Sequence, residues 1–418
     1  MTYNEALNYI HSISWLGSRP GLSRTRELLA KLGNPQDELK FVHIAGTNGK
    51  GSVAAMLSNI LVCSGYKTGL YTSPFIERFN ERIRINGIDI PDDRLAELTE
   101  YIRPFAEEMD DHPTEFELIT ALAFVYFAQE KCDIVVLEAG MGGELDSTNV
   151  IDVPELAVIT QIGLDHTAFL GDTIEKIAHT KAGIIKQNGS VICAATDENA
   201  KSVIYNCAKA KKAFIYAPEY DKMIVDSHTV DGFTLEYGQI KDIHLPLTGS
   251  YQPMNAAVVL KCAEVLEEKG WKITQKSILE GLAATKWPAR FEVLSKNPLF
   301  IVDGGHNPQG IKSTLDTLNE LLPKTCVNVI FGVMRDKNYG KMLELLAPFA
   351  QKLFAVTPDN PRALPADELA QCAKSQGIDS KSYKAIDAAI SDALNEGRPT
   401  IALGSLYMSG DIRSYFNR

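Results

Sequence analysis

The chain has 418 residues, more than one hydrophobic core usually supports, so its length points to two domains. With 45% hydrophobic and 23% charged residues it has a globular composition, not a disordered or fibrous one. The net charge of -11 excludes a broad nucleic-acid surface, so any site for anionic substrates must be a local basic pocket. Seven dispersed cysteines without a C-x-x-C pair read as reduced thiols. The amino terminus lacks a basic-then-apolar leader, and no apolar run approaches the roughly 20 residues that span a bilayer. These features predict a cytoplasmic chain with no membrane and no nucleic-acid partner; the expected form is a monomer.

The first strong pattern is an apolar strand from Phe41 that runs into Gly46-Thr-Asn-Gly-Lys-Gly-Ser52, followed by a helical segment over 53–63. Phosphates need this arrangement: glycines let backbone N–H groups close around the oxygens, and the helix N-terminus adds positive potential. Gly49, Lys50, Gly51 and Ser52 are the expected ATP-binding residues, with Lys50 as a point charge and the Ser52 hydroxyl as a Mg²⁺ ligand. Gly51 separates the lysine from the hydroxyl, a departure from the usual G-x-x-x-x-G-K-[ST] spacing.

Further strands are expected at 68–71, 134–138, 156–162 and 191–195, with helices at 116–130 and 173–184. This alternation predicts an α/β domain with a mainly parallel sheet, whose ligands collect at the carboxyl ends of the strands. Ser73, Glu138 and the Asp165-His166 pair lie at such ends. Short β-like runs over 213–247 predict a small antiparallel excursion within this first domain. A helical pair follows at 255–269 and 275–284, and the turn formers at 295–298 read as a linker. A second set, with strands at 299–302, 327–331, 352–356 and 400–403, predicts a smaller, Rossmann-like α/β domain. The expected boundaries are 1–296 and 297–418.

Glu138 closes an otherwise apolar strand. It is either a solvent-facing strand-end carboxylate or, beside a phosphate loop, the carboxylate that holds nucleotide Mg²⁺. His166 is open between a ligand and an ordinary surface histidine, because Mg²⁺ prefers oxygen. Lys181 is not separable from Lys176 or Lys186 by pattern. Asp303-Gly-Gly-His-Asn-Pro308 follows the first strand of the second domain; it is either a polar turn capping a helix or a second cluster of site residues. Arg290 either reaches nucleotide phosphates or braces the hinge, and Asn255 alone looks like an N-cap.

In order along the chain, several segments resemble the folylpolyglutamate synthase/dihydrofolate synthase family of the Mur ligase superfamily. They are Gly46-Thr-Asn-Gly-Lys-Gly-Ser52, Tyr71-Thr-Ser-Pro-Phe-Ile76, Arg78-Phe-Asn-Glu-Arg82, Thr114-Glu-Phe-Glu117, Gly143-Glu-Leu-Asp-Ser-Thr-Asn149, Leu164-Asp-His166, Lys181-Ala-Gly-Ile-Ile-Lys186, Trp287-Pro-Ala-Arg290 and Asp303-Gly-Gly-His-Asn-Pro308. The resemblance implies ATP-dependent joining of L-glutamate to a reduced folate, or to dihydropteroate, through an acyl phosphate. It implies Mg²⁺, with two ions expected, held by Ser52, Ser73, Glu138 and His166. Asn255, Arg290 and Asp303 match nucleotide contacts; His306 and Ser405 match the glutamate or acyl-phosphate region. Lys50, Lys181 and His306 are the implied catalytic residues, with Lys181 as an N6-carboxylysine. Thr114, Glu115, Phe116, Glu117, Leu145, Asp146 and Ser147 match folate contacts. Phe75 stands where many relatives have histidine, and Gly305 where many have alanine. The competing expectation is a nucleotide-dependent switch protein without ligase activity. A peptidoglycan ligase fits less well, because only about 45 residues precede the loop, too few for a typical domain.

Overall fold

Runs such as Phe41-Val-His-Ile-Ala45 and Ile134-Val-Val-Leu-Glu138 are apolar at nearly every position, so the strands they form need cover on both faces. The structure, a computed structural model that describes residues 1–13 and 20–417, supplies that cover. Strands β1 (Phe41–Ala45), β2 (Thr68–Tyr71), β3 (Ile83–Ile85), β4 (Ile88–Asp89), β5 (Ile134–Glu138), β6 (Leu156–Ile159), β7 (Ser190–Cys193) and β8 (Phe214–Tyr216) form one sheet. Its order is β4-β3-β2-β5-β1-β6-β7-β8. The pairings from β2 to β8 are parallel, while β3 and β4 add an antiparallel edge. Every residue of β1 and β5 is buried. Helix Glu115–Gln129 packs its apolar side chains with Phe41, Tyr71, Val135 and Leu137. Helices Ile174–Ala182 and Glu198–Ala210 cover Ala157, Ile159 and Val191. Helix Lys50–Cys63 packs against β1, β2 and β5, and against helix Gln275–Ala283.

A second group of strands is separate. β9 (Met223–Thr229), β10 (Gly232–Tyr237) and β11 (Ile240–Leu245) make an antiparallel sheet. β12 (Glu292–Lys296), β13 (Leu299–Val302), β14 (Val327–Phe331), β15 (Ala350–Ala355), β16 (Ser380–Ser382) and β17 (Thr400–Leu403) make a six-stranded sheet of order β12-β13-β17-β14-β15-β16. All its pairings are parallel except the β12–β13 hairpin. This is the α/β architecture expected, with a large mainly parallel sheet, a small antiparallel sheet and a second α/β domain.

Three details differ from the sequence reading. Phe214–Tyr216 does not belong to the antiparallel excursion; it pairs parallel with β7 as the last strand of the large sheet. The turn formers at 295–298 do not form a linker but close the β12–β13 hairpin, in which Val293 pairs with Ile301 and Lys296 with Leu299. The chain also divides differently from a single cut at 296: one compact unit is Met1–Asp221 with Asn255–Ala284, and the other is Lys222–Met254 with Thr285–Arg418. Local bonds account for that grouping. His228 on β9 contacts Glu320 at 3.1 Å, Ser250 N donates to Thr317 Oγ1 at 2.8 Å, and Lys296 pairs with Asp231 at 2.7 Å.

Candidate active site

In the first unit, β2, β5, β1 and β6 are consecutive neighbours in the sheet. The predicted site residues follow those four strands: Ser73 after β2, Glu138 at the end of β5, the glycine loop after β1, and Asp165-His166 beyond β6. Residues far apart in sequence therefore meet along one sheet edge. The Lys50 Nζ lies 3.9 Å from a Glu138 carboxylate oxygen, and Ser73 N donates to Glu138 Oε2 at 3.3 Å. Glu138 is buried, which excludes the reading of it as a solvent-facing strand end.

The loop is held in shape by bonds to the segment after β6. Thr47 N donates to Gln161 O at 2.8 Å, Gly163 N donates to Thr47 Oγ1 at 3.0 Å, and Thr160 Oγ1 donates to Asn48 O at 2.8 Å. Gly49 is the N-cap of helix Lys50–Cys63, with φ +89°, and it makes no side-chain cap. A Cβ there would fall 2.7 Å from Asn255 Oδ1, so both the backbone and the neighbour require glycine. Asn255 is thus placed against the loop. The first turn's N–H groups point along the helix axis with no intrahelical acceptor, which suits an anion. The buried Ser52 sits in that turn.

Lys181 is separated from Lys176 and Lys186 by its surroundings. Lys176 is exposed and pairs with Asp172, and Lys186 donates to Asn149 O. Lys181 is buried with its ammonium donating to Gly46 O at 2.7 Å. Burial, reinforced by repulsion from Lys50, pushes it down to about 7. His166 has a left-handed backbone, and its Nε2 is 4.0 Å from Asp165 Oδ2. Among the described residues no three His, Cys, Asp or Glu side chains gather as a metal site. The expected set does not need three: Ser52 and Ser73 are hydroxyl donors, Glu138 is a buried carboxylate, and His166 alone brings nitrogen. This oxygen-rich set, on adjacent strand ends beside a phosphate loop, fits a hard divalent cation.

The expected folate residues also lie in this unit. Thr114 caps helix Glu115–Gln129 and forms a capping box with Glu117, whose carboxylate accepts from Thr114 N at 2.7 Å. Glu117 also receives both arms of buried Arg24, at 2.9 and 2.8 Å, so its oxygens are occupied by scaffold bonds. Glu115 is 3.4 Å from His11, and Phe116 packs over Gly140. Asp146 caps the short turn Ser147–Val150 and accepts from Met141 N at 2.7 Å. Burial raises its carboxyl above the ordinary range, opposed by those hydrogen bonds. Leu145 is half exposed and Ser147 is buried.

The second unit carries its own cluster after β13. Asp303 is buried and accepts four hydrogen bonds: from Phe291 N at 2.8 Å, Tyr251 Oη at 3.2 Å, Gly305 N at 2.9 Å and Thr314 Oγ1 at 2.6 Å. Burial and Asp303 hold the Tyr251 phenol well above its usual range. A Cβ at Gly305 would lie 2.9 Å from Asp303 Oδ1, so an alanine here would crowd the carboxylate. His306 Nδ1 donates to Gly304 O at 2.8 Å, which fixes the orientation of the ring. Asn307 caps helix Pro308–Leu321 through Gly310 N at 2.8 Å. Ser405 is buried and caps the turn Leu406–Met408. Arg290 lies near enough to Tyr251 to lower its pKa. Tyr251, Thr314 and the loop-bracing Thr160 were missed in the sequence, where isolated hydroxyls carry no spacing signal.

The chain matches two family models, the Mur ligase middle domain over residues 44–263 and the Mur ligase glutamate ligase domain over residues 289–404. It is therefore an ATP-dependent ligase of the Mur type. It is 39% identical to the folylpolyglutamate synthase of Lacticaseibacillus casei, over 99% of this chain and 98% of that protein. It is 36% identical to the dihydrofolate synthase/folylpolyglutamate synthase of Bacillus subtilis (strain 168), over 98% of each. A solved FPGS–AMPPCP–folate complex matches with a TM-score of 0.85 at 36% identity over 99% of each chain. The chain belongs to the folylpolyglutamate synthase/dihydrofolate synthase family. No helix among the described residues is long and apolar enough to cross a membrane.

Proposed function

We propose that this chain uses ATP to join L-glutamate to a carboxylate of a reduced folate. A carboxylate oxygen is a poor leaving group, so the γ-phosphoryl is first transferred to it, giving an acyl phosphate and ADP. The glutamate amine then attacks the acyl carbon; the tetrahedral intermediate collapses with loss of phosphate, and the amine gives up its proton. The observation that carries this reading is the meeting of Lys50, Glu138, Ser73 and the uncapped helix N-terminus on adjacent strand ends. A second acceptor, dihydropteroate, is favoured by the double activity in the name of the Bacillus subtilis relative.

In this reading Gly49, Lys50, Gly51 and Ser52 hold the triphosphate, and Asn255 and Arg290 contact the nucleotide. Asp303 belongs to the same set, its four internal bonds fixing its orientation. Mg²⁺, held by Ser52, Ser73, Glu138 and His166, would offset the charge that gathers on the transferring phosphoryl group. Lys181 is the residue for carbamylation: an amine pushed to about 7 is largely neutral above that pH, and its addition to CO₂ yields a carbamate and one proton. Thr114, Glu115, Phe116, Leu145, Asp146 and Ser147 face the folate, with Glu117 fixing the start of their helix. Residues 297–418 contribute His306 and Ser405 toward glutamate. The enzyme works as a monomer in the cytoplasm.

The test is ADP release measured with ATP, Mg²⁺, L-glutamate and either tetrahydrofolate or dihydropteroate. Release that requires glutamate together with one acceptor is expected. Equal ADP production with both omitted would overturn the reading in favour of a nucleotide switch.

A further inference from the structure

We propose that His43, a residue with no assigned role, is a positioning residue that aligns the folate-facing segment 145–147 from the strand that also feeds the phosphate loop. It rests on the reading of 145–147 as folate contacts. His43 lies in the middle of β1, with no exposed surface. Its Nε2 is 2.8 Å from Thr148 Oγ1, and that hydroxyl is 2.5 Å from Asp146 Oδ1. The direction of this chain follows from proton count. A threonine hydroxyl has one proton, and the carboxylate can only accept it, so Thr148 donates to Asp146 and accepts from His43. The imidazole proton is therefore on Nε2. The other nitrogen, Nδ1, is buried and has no hydrogen-bond partner among the described residues.

An orphaned buried nitrogen costs stability, and an apolar side chain would fill the same space without that cost. The arrangement is explained by the directed bond that it supplies. Asp146 needs it: its Oδ2 is held by Met141 N at 2.7 Å, and its Oδ1 by Thr148 N at 3.0 Å together with the Thr148 hydroxyl. These bonds set the turn that presents half-exposed Leu145 on one side and Ser147 on the other. β1 is a rigid anchor for the relay, paired with β5 on one side and β6 on the other, and it reaches Gly46 three residues beyond His43. The relay thus ties the acceptor segment to the strand that carries the nucleotide loop.

The test compares five variants of the full chain by steady-state kinetics, with tetrahydrofolate and ATP varied separately. Thr148→Val keeps the shape and breaks the relay; it is expected to raise KM for tetrahydrofolate about tenfold, the effect of one lost buried hydrogen bond, with KM for ATP changed less than about twofold. Thr148→Ser restores the hydroxyl and is expected to restore KM. His43→Gln places an amide N–H near the Nε2 position and is expected to retain most folate affinity, whereas His43→Leu is expected to match Thr148→Val. Should Thr148→Val fail to fold, the His43→Gln and His43→Leu pair decides. Equal changes in both KM values, or none, would overturn the proposal, as would a His43→Leu enzyme indistinguishable from His43→Gln. Asp146→Asn separates the two levels: if it raises folate KM while the relay variants do not, the relay fails and the folate reading stands. If Asp146→Asn leaves folate KM unchanged, the folate reading of the segment itself fails.

Discussion

Each unit has a strand that turns through two glycines into a helix, yet the two turns are built for opposite purposes. After β1, the N-cap is Gly49, which has no side chain to close the helix end, and the first turn contributes Lys50. After β13, Asn307 accepts from Gly310 N and closes its helix, and the turn opens with Asp303, whose carboxylate consumes nearby N–H and O–H groups. The first turn has no side-chain cap at its helix end and adds the positive charge of Lys50. The second spends its donors internally and fixes a carboxylate in place. A glycine-rich strand–turn–helix is therefore not by itself an anion site; what decides is whether the chain's own side chains have already filled the helix end.

The comparison breaks most easily at Lys50. Lys50→Met is expected to lower kcat/KM for ATP by about a thousandfold, or roughly 4 kcal/mol, because the lost charge acts where phosphoryl charge is concentrated. Melting should change little; an enzyme within tenfold of the parent would remove the charge argument. Asp303→Ala should do the reverse in kind, since it strands buried partners, including Tyr251 and Thr314. A loss of about 3 kcal/mol in chemical denaturation is expected, and an unchanged midpoint would show that those bonds do not hold the second turn.

A smaller effect concerns pH. Burial lowers His43 from its ordinary value to about 3, so between pH 6.5 and 3 the unfolded chain binds a proton that the folded chain refuses. Stability from this group is intact above pH 6.5 and is lost as pH falls, at about 1.4 kcal/mol per pH unit. His43→Gln should flatten the acid limb of the first unit by one proton's slope; an identical limb would contradict the buried neutral imidazole. The smallest expected change is Asn307→Ala, about 1 kcal/mol of stability for a lost N-cap. If that substitution also left phosphate binding at the second turn undetectable, the contrast with Gly49 would rest on Asp303 as well as on the cap.

Much of this was legible in the chain. The Gly46–Ser52 pattern, with its flanking apolar strand and helix, carries its own geometry, because glycine spacing and a lysine act locally. The α/β alternation followed from fully apolar strands separated by helical periods. Glu138 stood out because a carboxylate ends an apolar run. Less legible were β12, hidden by turn formers that belong to a hairpin, and Phe214–Tyr216, whose three residues fit either sheet until pairing with β7 decided it.

Local composition, then, determined that there is a phosphate loop, that parallel strands surround it, and that the chain belongs among ATP-dependent ligases by its ordered motifs. The tertiary structure decided which distant residues share the loop's edge of the sheet. Strand order placed β2, β5, β1 and β6 side by side, although Ser73 and His166 are 93 positions apart in the chain. It also set Lys181 apart from Lys176 and Lys186 in its surroundings, by burying one amine against Gly46 and leaving another beside a surface carboxylate. Burial and pairing are properties of the packed sheet, and no single stretch of sequence contains them.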